Sequence, residues 1–434
     1  MKLDKGTEIA KNSDGSSKKL FDFFEDSAKS PKYKKSEKDF TRSTPLSFQA
    51  VAGSILHLFK ESVEFNLHKL LPEFSSRPVT GGAFTQARYK IKSEFFRDLL
   101  PLVRSSYEEC DKRLWKGHRL LAGDGSTLNL PSHKDIEDHF GLYTTNSLGT
   151  KRYLARTFMI YDVLNQYVVD GQLSIIGNGE KTLLKRAFPL IKEEDILVLD
   201  RGFGNFSTIK ELISHRFGFC VRLPVNNSNF AKLMLEHERN DHVTTWEPSV
   251  KEKENTRKNN LDVKPMEVRV IRIELSSGEV ELLITNLTDK SKYLLCDMTE
   301  LYRLRWGVEE GFKNLKPKMK IEQFGCKKAE GIFQEFYAHI FSMNVISLFG
   351  IMANDLIKER TIKRKREYKY NWKNAYRYVR EKMIDWLFLR NVEHIIEQLL
   401  IQISSSMVAI IPDRQFARDM KNRNKKGRIT QFNK

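Results

Sequence analysis

The feature that restricts the fold most is a short run of almost purely apolar residues, DILVLD, at positions 195–200. A β-strand that is buried on both faces has this composition, and such strands lie inside parallel or mixed sheets that helices cover. Around this run, the apolar periodicity predicts hairpin strands first and then strands that alternate with helices. This order predicts an α/β fold in which a mixed sheet is flanked by helices.

The individual elements can be placed along the chain from residue 118. The run RLLAGDGSTLNL predicts a first strand that ends at Asp124 and is followed by a glycine-containing turn. The other predicted elements of this region are strands at 154–163, 166–175, 195–200 and 218–223 and helices at 180–191 and 205–215. The segments EVRVIRIEL and EVELLITNL, separated by Ser276, Ser277 and Gly278, predict a later β-hairpin.

Composition and periodicity divide the chain into five parts. The length of 434 residues exceeds that of one ordinary domain. The predicted parts are a flexible basic arm at 1–40, a helical DNA-binding region at 41–112, the main α/β domain at 113–223 and 291–355, a β-rich insertion at 224–290, and a basic helical region at 356–434.

The helical region at 41–112 carries two boundary signals. Thr44 is suited to cap a helix whose first position is Pro45, and Thr80 is suited to cap the first of two short helices. These two helices would meet near residues 90–93 and resemble a helix-turn-helix element that presents Arg88 to a major groove. An ordinary helical pair with basic, solvent-exposed faces explains the same pattern equally well.

The charge of the chain indicates a polyanionic partner. The sequence has 74 Lys and Arg against 56 Asp and Glu, a net charge of +18. Each phosphate that such a surface neutralises releases counterions, which favours binding to nucleic acid. The alternative is a basic protein with no nucleic-acid role.

The cysteines and the apolar segments indicate the compartment. Cys110, Cys220, Cys296 and Cys326 are far apart and form no C-x-x-C pair, which argues against a zinc ribbon or a disulfide framework and fits a reducing cytosol. The longest apolar stretch, at 338–354, is too short to span a bilayer and predicts a buried helix. We therefore expect a cytoplasmic protein with no membrane partner.

Two aspartates stand at predicted strand ends. Asp124 ends the first strand and Asp200 ends the buried strand, so their carboxylates would converge at one edge of the sheet, where α/β proteins tend to place their sites. Gly125 and Gly202 follow closely and would leave room for a metal ion and a phosphate. Carboxylates packed together repel unless a cation joins them, and Mg²⁺ prefers oxygen ligands.

A third acid lies on a helix predicted at 297–316, which Pro317 would end. On this helix Tyr302, Arg305, Glu309 and Lys316 fall within roughly 60° of arc, so one stripe presents a phenol, a guanidinium, a carboxylate and an ammonium group. A solvated helix with chance ion pairs would explain the stripe without any function.

The chemistry of phosphoryl transfer gives a reason for this set of side chains. Two Mg²⁺ ions held by Asp124, Asp200 and Glu309 would activate the attacking oxygen and stabilise the leaving one. Arg305 and Lys316 would hold flanking phosphates, and Tyr302 would donate a hydrogen bond to a phosphate oxygen.

Four blocks of the sequence resemble the insertion-sequence-four family of DDE transposases. The spacing Y-x2-R-x3-E-x6-K in YRLRWGVEEGFKNLK is the signature of that family, and DGST around Asp124 and LDRGF around Asp200 resemble its two other acidic blocks. AFTQARYKI, near residue 83, is similar to a segment of the family's N-terminal region. The blocks occur in the family's order between about residues 45 and 350.

The resemblance implies a ribonuclease-H-like core with a β-rich insertion before the last acid. It also implies Asp124, Asp200 and Glu309 as catalytic and metal-binding residues, with Mg²⁺ or Mn²⁺. The implied partners are double-stranded DNA, as terminal inverted repeats and target, and a second copy of the chain in the DNA complex. The implied reaction is cut-and-paste transposition, which in several members passes through a DNA hairpin.

Further DNA contacts follow from the same resemblance. Arg201 matches the second acidic block and would contact a phosphate. Several members hold a base flipped from the DNA end, and Trp246 or Trp306 would stack on such a base here. A buried structural tryptophan is the alternative for each.

Three alternatives remain open from the sequence. A nuclease or junction resolvase on the same fold would share the acids and the metal but would not join DNA. A transposase relic would bind DNA without cutting it. The segment TIKRKREYKYNWKNAYRYVREK, beginning at Thr361, would either track a DNA backbone or form a solvated helix whose aromatic residues face the core.

Overall fold

The computed structural model describes residues 4–58, 60, 62–70, 72, 77–145, 150–225, 228–275, 278–388 and 392–411. The helices are α1 (Asp4–Lys29), α2 (Phe48–Leu56), α3 (Val63–Leu70), α4 (Gly81–Arg88), α5 (Glu94–Asp98), α6 (Leu100–Glu109), α7 (Lys134–Phe140), α8 (Glu180–Ala187), α9 (Phe206–Ser214), α10 (Asn229–Glu236), α11 (Val250–Lys258), α12 (Leu295–Leu304), α13 (Gly307–Lys313), α14 (Ala329–Met352), α15 (Asn354–Thr361), α16 (Trp372–Leu387) and α17 (Val392–Ser405). The strands are β1 (Arg119–Asn129), β2 (Tyr143–Thr145), β3 (Thr150–Arg152), β4 (Leu154–Asp162), β5 (Tyr167–Ile175), β6 (Asp195–Leu199), β7 (Gly218–Leu223), β8 (Asp241–Trp246), β9 (Met266–Glu274), β10 (Val280–Thr285), β11 (Tyr368–Tyr370) and β12 (Met407–Ala409).

An eight-stranded mixed sheet organises the molecule, in the order β5-β4-β1-β6-β7-β10-β9-β8. The strands β5, β4 and β1 are antiparallel, whereas β1, β6 and β7 run parallel. All five residues of β6 are buried, as its apolar sequence predicts for a strand inside a covered sheet. The predicted α/β fold with a mixed sheet flanked by helices is confirmed. The five neighbouring strands β5-β4-β1-β6-β7 have the connectivity of a ribonuclease-H-like core.

The region predicted as a β-rich insertion, 224–290, adds the strands β8, β9 and β10 to this sheet. The predicted hairpin forms, as β9 and β10, although Ser276 and Ser277 of its turn lie outside the described residues. However, β10 also pairs antiparallel with β7. Without β10, β7 would expose an edge of unpaired backbone groups. The segment 224–265, which looked irregular in sequence, contributes α10, β8 and α11.

The two faces of the sheet pack against different helices. Leu120, Ile196 and Val198 share one apolar cluster with Met298 and Leu301 of α12. The alternate residues of the same strands belong to the larger cluster, which contains α8, α9 and α14. Because side chains alternate along a strand, every second residue of β1 or β6 lies on the same face of the sheet.

The apolar stretch at 338–354 lies in α14, a helix at the centre of the larger cluster. Among the described residues, α14 alone is long and apolar enough to cross a membrane, but 89% of its apolar window is buried inside the protein. The prediction of a buried helix is therefore confirmed. Gly350 allows the Tyr370 ring of β11 to lie directly on α14, since a Cβ at this glycine would overlap the ring.

The N-terminal region differs from the prediction in two respects. Residues 4–29 of the predicted flexible arm form the 26-residue helix α1, which packs against α16 and α17. Its aromatic Phe24 is fully buried against Phe95 and Phe388, which explains why the helix is held. The first predicted cap is also displaced: Ser47, not Thr44, caps α2 by accepting a hydrogen bond from the Ala50 N–H group.

The basic C-terminal region forms helices whose aromatic residues face inwards. Tyr370, Trp372 and Tyr376 are buried, so these rings face the core, as the alternative predicted, and DNA contact by the charged residues of the segment stays a prediction. The charged residues at 363–366 are exposed. Residues 412–434 of this predicted region lie outside the described residues.

Candidate active site

Asp124 lies within a strand, not at the end of one. β1 pairs in parallel with β6 only as far as Gly123, opposite Leu199, but β1 continues to Asn129 along the antiparallel partner β4. Asp124 is therefore the first residue of β1 beyond the end of β6. This correction preserves the predicted location, because the edge at which β6 stops is the edge that Asp124 occupies.

Asp200 follows β6 directly and caps the short 3-10 turn Arg201–Phe203. Its Oδ1 accepts a hydrogen bond from the Gly202 N–H group at 2.9 Å. In the parallel register Gly123 is opposite Leu199, so the next residues, Asp124 and Asp200, stand at neighbouring positions. Asp124 is four residues after Leu120 and Asp200 is two residues after Val198. Because side chains alternate, both acids lie on the face of the sheet that α12 covers.

The environment of Asp124 disfavours its charged form. Burial raises the pKa of its carboxyl to about 6, and the negative charges of Asp200 and Glu180 contribute in the same direction. A hydrogen bond from the Gly125 N–H group, 2.8 Å from Oδ1, and the positive charge of Arg305 oppose this shift. The structure thus places the two predicted acids at neighbouring positions, each one residue beyond the paired Gly123 and Leu199.

The helix that carries the third acid is not the continuous one predicted for 297–316. Its first part, α12, begins at Leu295, and Asp297 accepts from the Leu294 N–H group. The chain then tightens at Arg305 and Trp306, whose N–H groups bond to carbonyls three residues back, before α13 begins. After α13 it widens into the π-helical turn Asn314–Lys318, which contains Pro317.

Two glycines bring α13 close to the sheet. A Cβ at Gly307 would lie 2.7 Å from a Val163 carbon, and one at Gly311 would lie 3.1 Å from the Tyr161 ring. Only a residue without a side chain permits this approach, so the two glycines fix the height of α13 above β4. Glu309 lies between them along the helix, and its side chain is 36% exposed.

Arg305 links the third acid to the first. Its Nη2 lies 3.6 Å from Glu309 Oε1, and its charge also acts on Asp124. The guanidinium is only 8% exposed, lies over the rings of Tyr302 and Trp306, and has an Nε with no hydrogen-bond partner among the described residues. A buried guanidinium with so little compensation favours an anionic ligand.

The other signature residues surround this group. Tyr302 is buried, and burial raises its pKa to about 12, which keeps the phenol protonated as a donor. Lys316 Nζ donates to the Thr127 carbonyl of β1 at 2.6 Å, so the π-helical turn directs it to the strand that carries Asp124. Trp306 is 44% exposed beside Arg305.

Sequence reasoning missed a further carboxylate, Glu180. It lies in the first turn of α8, and its Oε1 accepts from Arg156 Nη1 at 2.8 Å. A Cβ at Gly125 would lie 2.3 Å from the same oxygen. The space that we expected Gly125 to leave for metal and phosphate is therefore filled by Glu180. No local signal in the sequence identifies this contact, since it joins three separate elements.

The remaining predicted DNA contacts have different outcomes. Arg88 is buried and bonds to Gln334, Glu335 and the Gly325 carbonyl, so its prediction as a DNA contact is wrong. Trp246 is buried and stacked on Phe230, so it is not available to stack on a flipped base. Arg201 is exposed beside Asp200 and stays a prediction.

The donor set of the site fits a divalent cation, although the acids are not pre-assembled around one. In the described part of the chain, no three His, Cys, Asp or Glu side chains are grouped closely enough to hold a metal ion. Glu309 instead forms an ion pair with the guanidinium of Arg305. Two adjacent carboxylates, one with a raised pKa, nevertheless form a place where an added cation would relieve repulsion.

We expect the affinity for Mg²⁺ or Mn²⁺ to fall below about pH 6. The pKa of Asp124 is raised from 3.8 to about 6, so below that pH an ion must displace a proton from this carboxyl. Each further pH unit should then lower the affinity about tenfold. Calorimetric titration with Mn²⁺ across this range measures the effect. Equal affinities one unit above and one unit below the pKa would contradict it.

Comparisons with known proteins find a matching family model and a similar curated protein. The model of the family described as "Transposase DDE domain" matches residues 115–345, more than half of the chain. The transposase InsG for insertion sequence element IS4 of Escherichia coli (strain K12) is 20% identical over 280 residues, which are 62% of this chain and 61% of that protein. The chain thus matches less than two thirds of that relative's length.

A solved structure shares the fold. A piggyBac transposase, determined by cryo-electron microscopy as a synaptic complex with hairpin DNA, superposes with a TM-score of 0.50 at 11% identity. The superposition covers 96% of this chain and 90% of that one.

Proposed function

The chain belongs to the family of transposases with a DDE domain, and from this we propose that it cuts and joins DNA at the site formed by Asp124, Asp200 and Glu309. Its substrate would be the terminal inverted repeats of its own insertion sequence, and the reaction would be cut-and-paste transposition. The observation that carries the proposal is the position of Asp124 and Asp200 at neighbouring places on β1 and β6, beside the Arg305–Glu309 pair.

Asp124, Asp200 and Glu309 would hold Mg²⁺ or Mn²⁺, most simply as two ions. Bound ions of this kind stabilise charge on the attacking and leaving oxygens of an in-line displacement at phosphorus. In cleavage, the oxygen of water bonds to the phosphorus and the 3′-oxygen of the neighbouring nucleotide departs. In joining, the freed 3′-hydroxyl bonds to a target phosphorus, and the 3′-oxygen of the target departs.

The side chains around the acids would position the DNA. The Nε of Arg305 is buried and has no hydrogen-bond partner among the described residues, and its Nη2 lies 3.6 Å from Glu309. A phosphate would therefore accept hydrogen bonds from the guanidinium better than the protein does. Its transfer to a phosphate would also release Glu309 for a metal ion. Lys316, Tyr302 and the exposed Arg201 would contact flanking phosphates, and Trp306 would stack on an unpaired base.

We expect the unmodified chain to join a transposon end to another DNA molecule. The substrate is a duplex that ends in the inverted repeat flanking the gene and carries a free 3′-hydroxyl, and the target is a supercoiled plasmid with Mg²⁺ present. A covalent product of end and plasmid is expected, because two ends of the same kind, held by two copies of the chain, are the substrate of the joining step.

Two other results would contradict the proposal in different ways. A chain that nicks the plasmid but never forms the joined product is a nuclease on the same fold. A chain that binds the end but neither cuts nor joins is a catalytically silent DNA-binding protein. Inverted repeats that bracket the gene, inside short direct repeats, would support the proposed transposase independently of any assay.

A further inference from the structure

Four lysines from two distant parts of the chain meet beside the helix that carries Glu309. Lys313 ends α13, Lys318 ends the π-helical turn, Lys369 lies in β11 and Lys373 in the first turn of α16. The pKa of Lys318 is lowered, first by burial and then by the charges of the other three, against an opposing effect of Glu310. We call these four residues the lysine surface.

Packing holds the lysine surface in place. Lys318 Nζ donates to Asn314 Oδ1 at 2.6 Å and lies 5.5 Å from the centre of the Trp372 ring, which is itself buried. Tyr370 is anchored on Gly350 of α14, and the neighbouring Lys369 points to the other side of β11 and is exposed. The two segments are thus joined through buried aromatic rings, and their positive charges cannot separate freely.

The charges of the lysine surface are poorly balanced by the protein. Lys313 pairs with Glu310, three residues before it. Lys369 and Lys373 are exposed, and no carboxylate among the described residues lies within ion-pairing distance of either. Like charges held together destabilise the protein unless an anion offsets them, and a polyanion does so for several of them at once.

The location of the lysine surface favours DNA as this polyanion. An α-helix rises about 1.5 Å per residue, so Lys313 lies roughly 6 Å beyond Glu309 along α13, and Lys318 lies farther on, in the π-helical turn. One strand of B-DNA advances about 3.4 Å per nucleotide. We propose that the lysine surface binds the phosphates of duplex DNA from about two nucleotides beyond the phosphate that is cut. This inference rests on the proposed function, since it takes Glu309 as part of the cutting site.

The salt dependence of DNA binding tests the proposal. The variant Lys369→Gln/Lys373→Gln removes the two exposed members, and Lys251→Gln/Lys253→Gln removes the same charge from exposed positions on α11. Binding to a random-sequence duplex of several helical turns suffices, because phosphate contacts do not depend on sequence. The slope of log affinity against log salt should become shallower by about 1.8 in the first variant, about 0.9 per lost contact, and stay unchanged in the second.

Each other outcome overturns the proposal in a distinguishable way. Equal slopes for the unmodified chain and the first variant, with cleavage intact, would reject the lysine surface but keep the proposed function. An unchanged slope together with loss of a dimer in light scattering would assign the surface to a second copy of the chain. An unmodified chain that binds no duplex and cuts no end would reject the proposed function and this inference together.

Discussion

Replacement of Asp200 by Asn is expected to lower DNA cleavage and joining by at least about a thousandfold while DNA binding persists. The amide keeps an oxygen that can accept from the Gly202 N–H group, so the turn after β6 should be retained. The negative charge is lost, however, and with it one of the two adjacent carboxylates that would attract a cation. Single-turnover cleavage of the end and a mobility-shift titration separate the two effects.

A matched variant and a second readout make this expectation specific. Asp262 is an exposed aspartate that forms an ion pair with Lys210 and is not one of the three acids of the site. In Asp262→Asn, cleavage and joining should therefore be unchanged. In Asp200→Asn the pKa of Asp124 should move towards its ordinary value, because one of the charges that raises it is gone. Cleavage at the unmodified rate would refute the catalytic assignment.

Replacement of Arg88 by Leu is expected to lower the free energy of unfolding by about 3–5 kcal/mol. Arg88 Nη1 lies 3.1 Å from Glu335 Oε1, and both side chains are buried. Without the guanidinium, the partners that Glu335 keeps among the described residues include the Gly325 N–H group, the Cys326 thiol and the more distant Lys60 Nζ, 4.0 Å away. Denaturant unfolding measures the loss.

The appropriate control for Arg88 is an exposed arginine in the same region. Arg97 is exposed and, in the described part of the chain, forms an ion pair with its neighbour Asp98, so Arg97→Leu should change stability by no more than about 0.5 kcal/mol. The salt dependence of DNA binding should be the same in both variants. A shallower slope for a stably folded Arg88→Leu protein would restore the prediction that this residue contacts DNA.

Local signals predicted those elements whose stability depends on neighbouring residues in sequence. The apolar run of β6, the hairpin of β9 and β10, and the Thr80 cap of α4 all appear as expected. In each case the determinant is a period of two or a side chain that bonds to a nearby N–H group. The positions of Asp124 and Asp200 relative to the predicted strands were sufficient to place these two acids side by side.

Non-local pairing accounts for what the sequence did not predict. Glycines around Asp124 indicated a turn, but β4 extends beside them and keeps β1 extended to Asn129. The segment after β7 was predicted as an insertion into the main domain, and nothing local shows that its strand β10 will pair with β7. Glu180 escaped detection for the same reason, and so did the meeting of Lys369 and Lys373 with Lys313 and Lys318, since these partners lie tens of residues apart in the chain.

The pairing of β10 with β7 has a consequence for when a DNA-cutting activity can arise. Synthesis of the first 223 residues already supplies Asp124 and Asp200, but α12 and α13, with Arg305 and Glu309, follow only after β10 has joined the sheet. A chain that is interrupted on the ribosome, or clipped before β10, therefore holds two acids and lacks the third. Fragments of this protein that end before α13 should therefore lack DNA-cutting activity, because they lack Glu309.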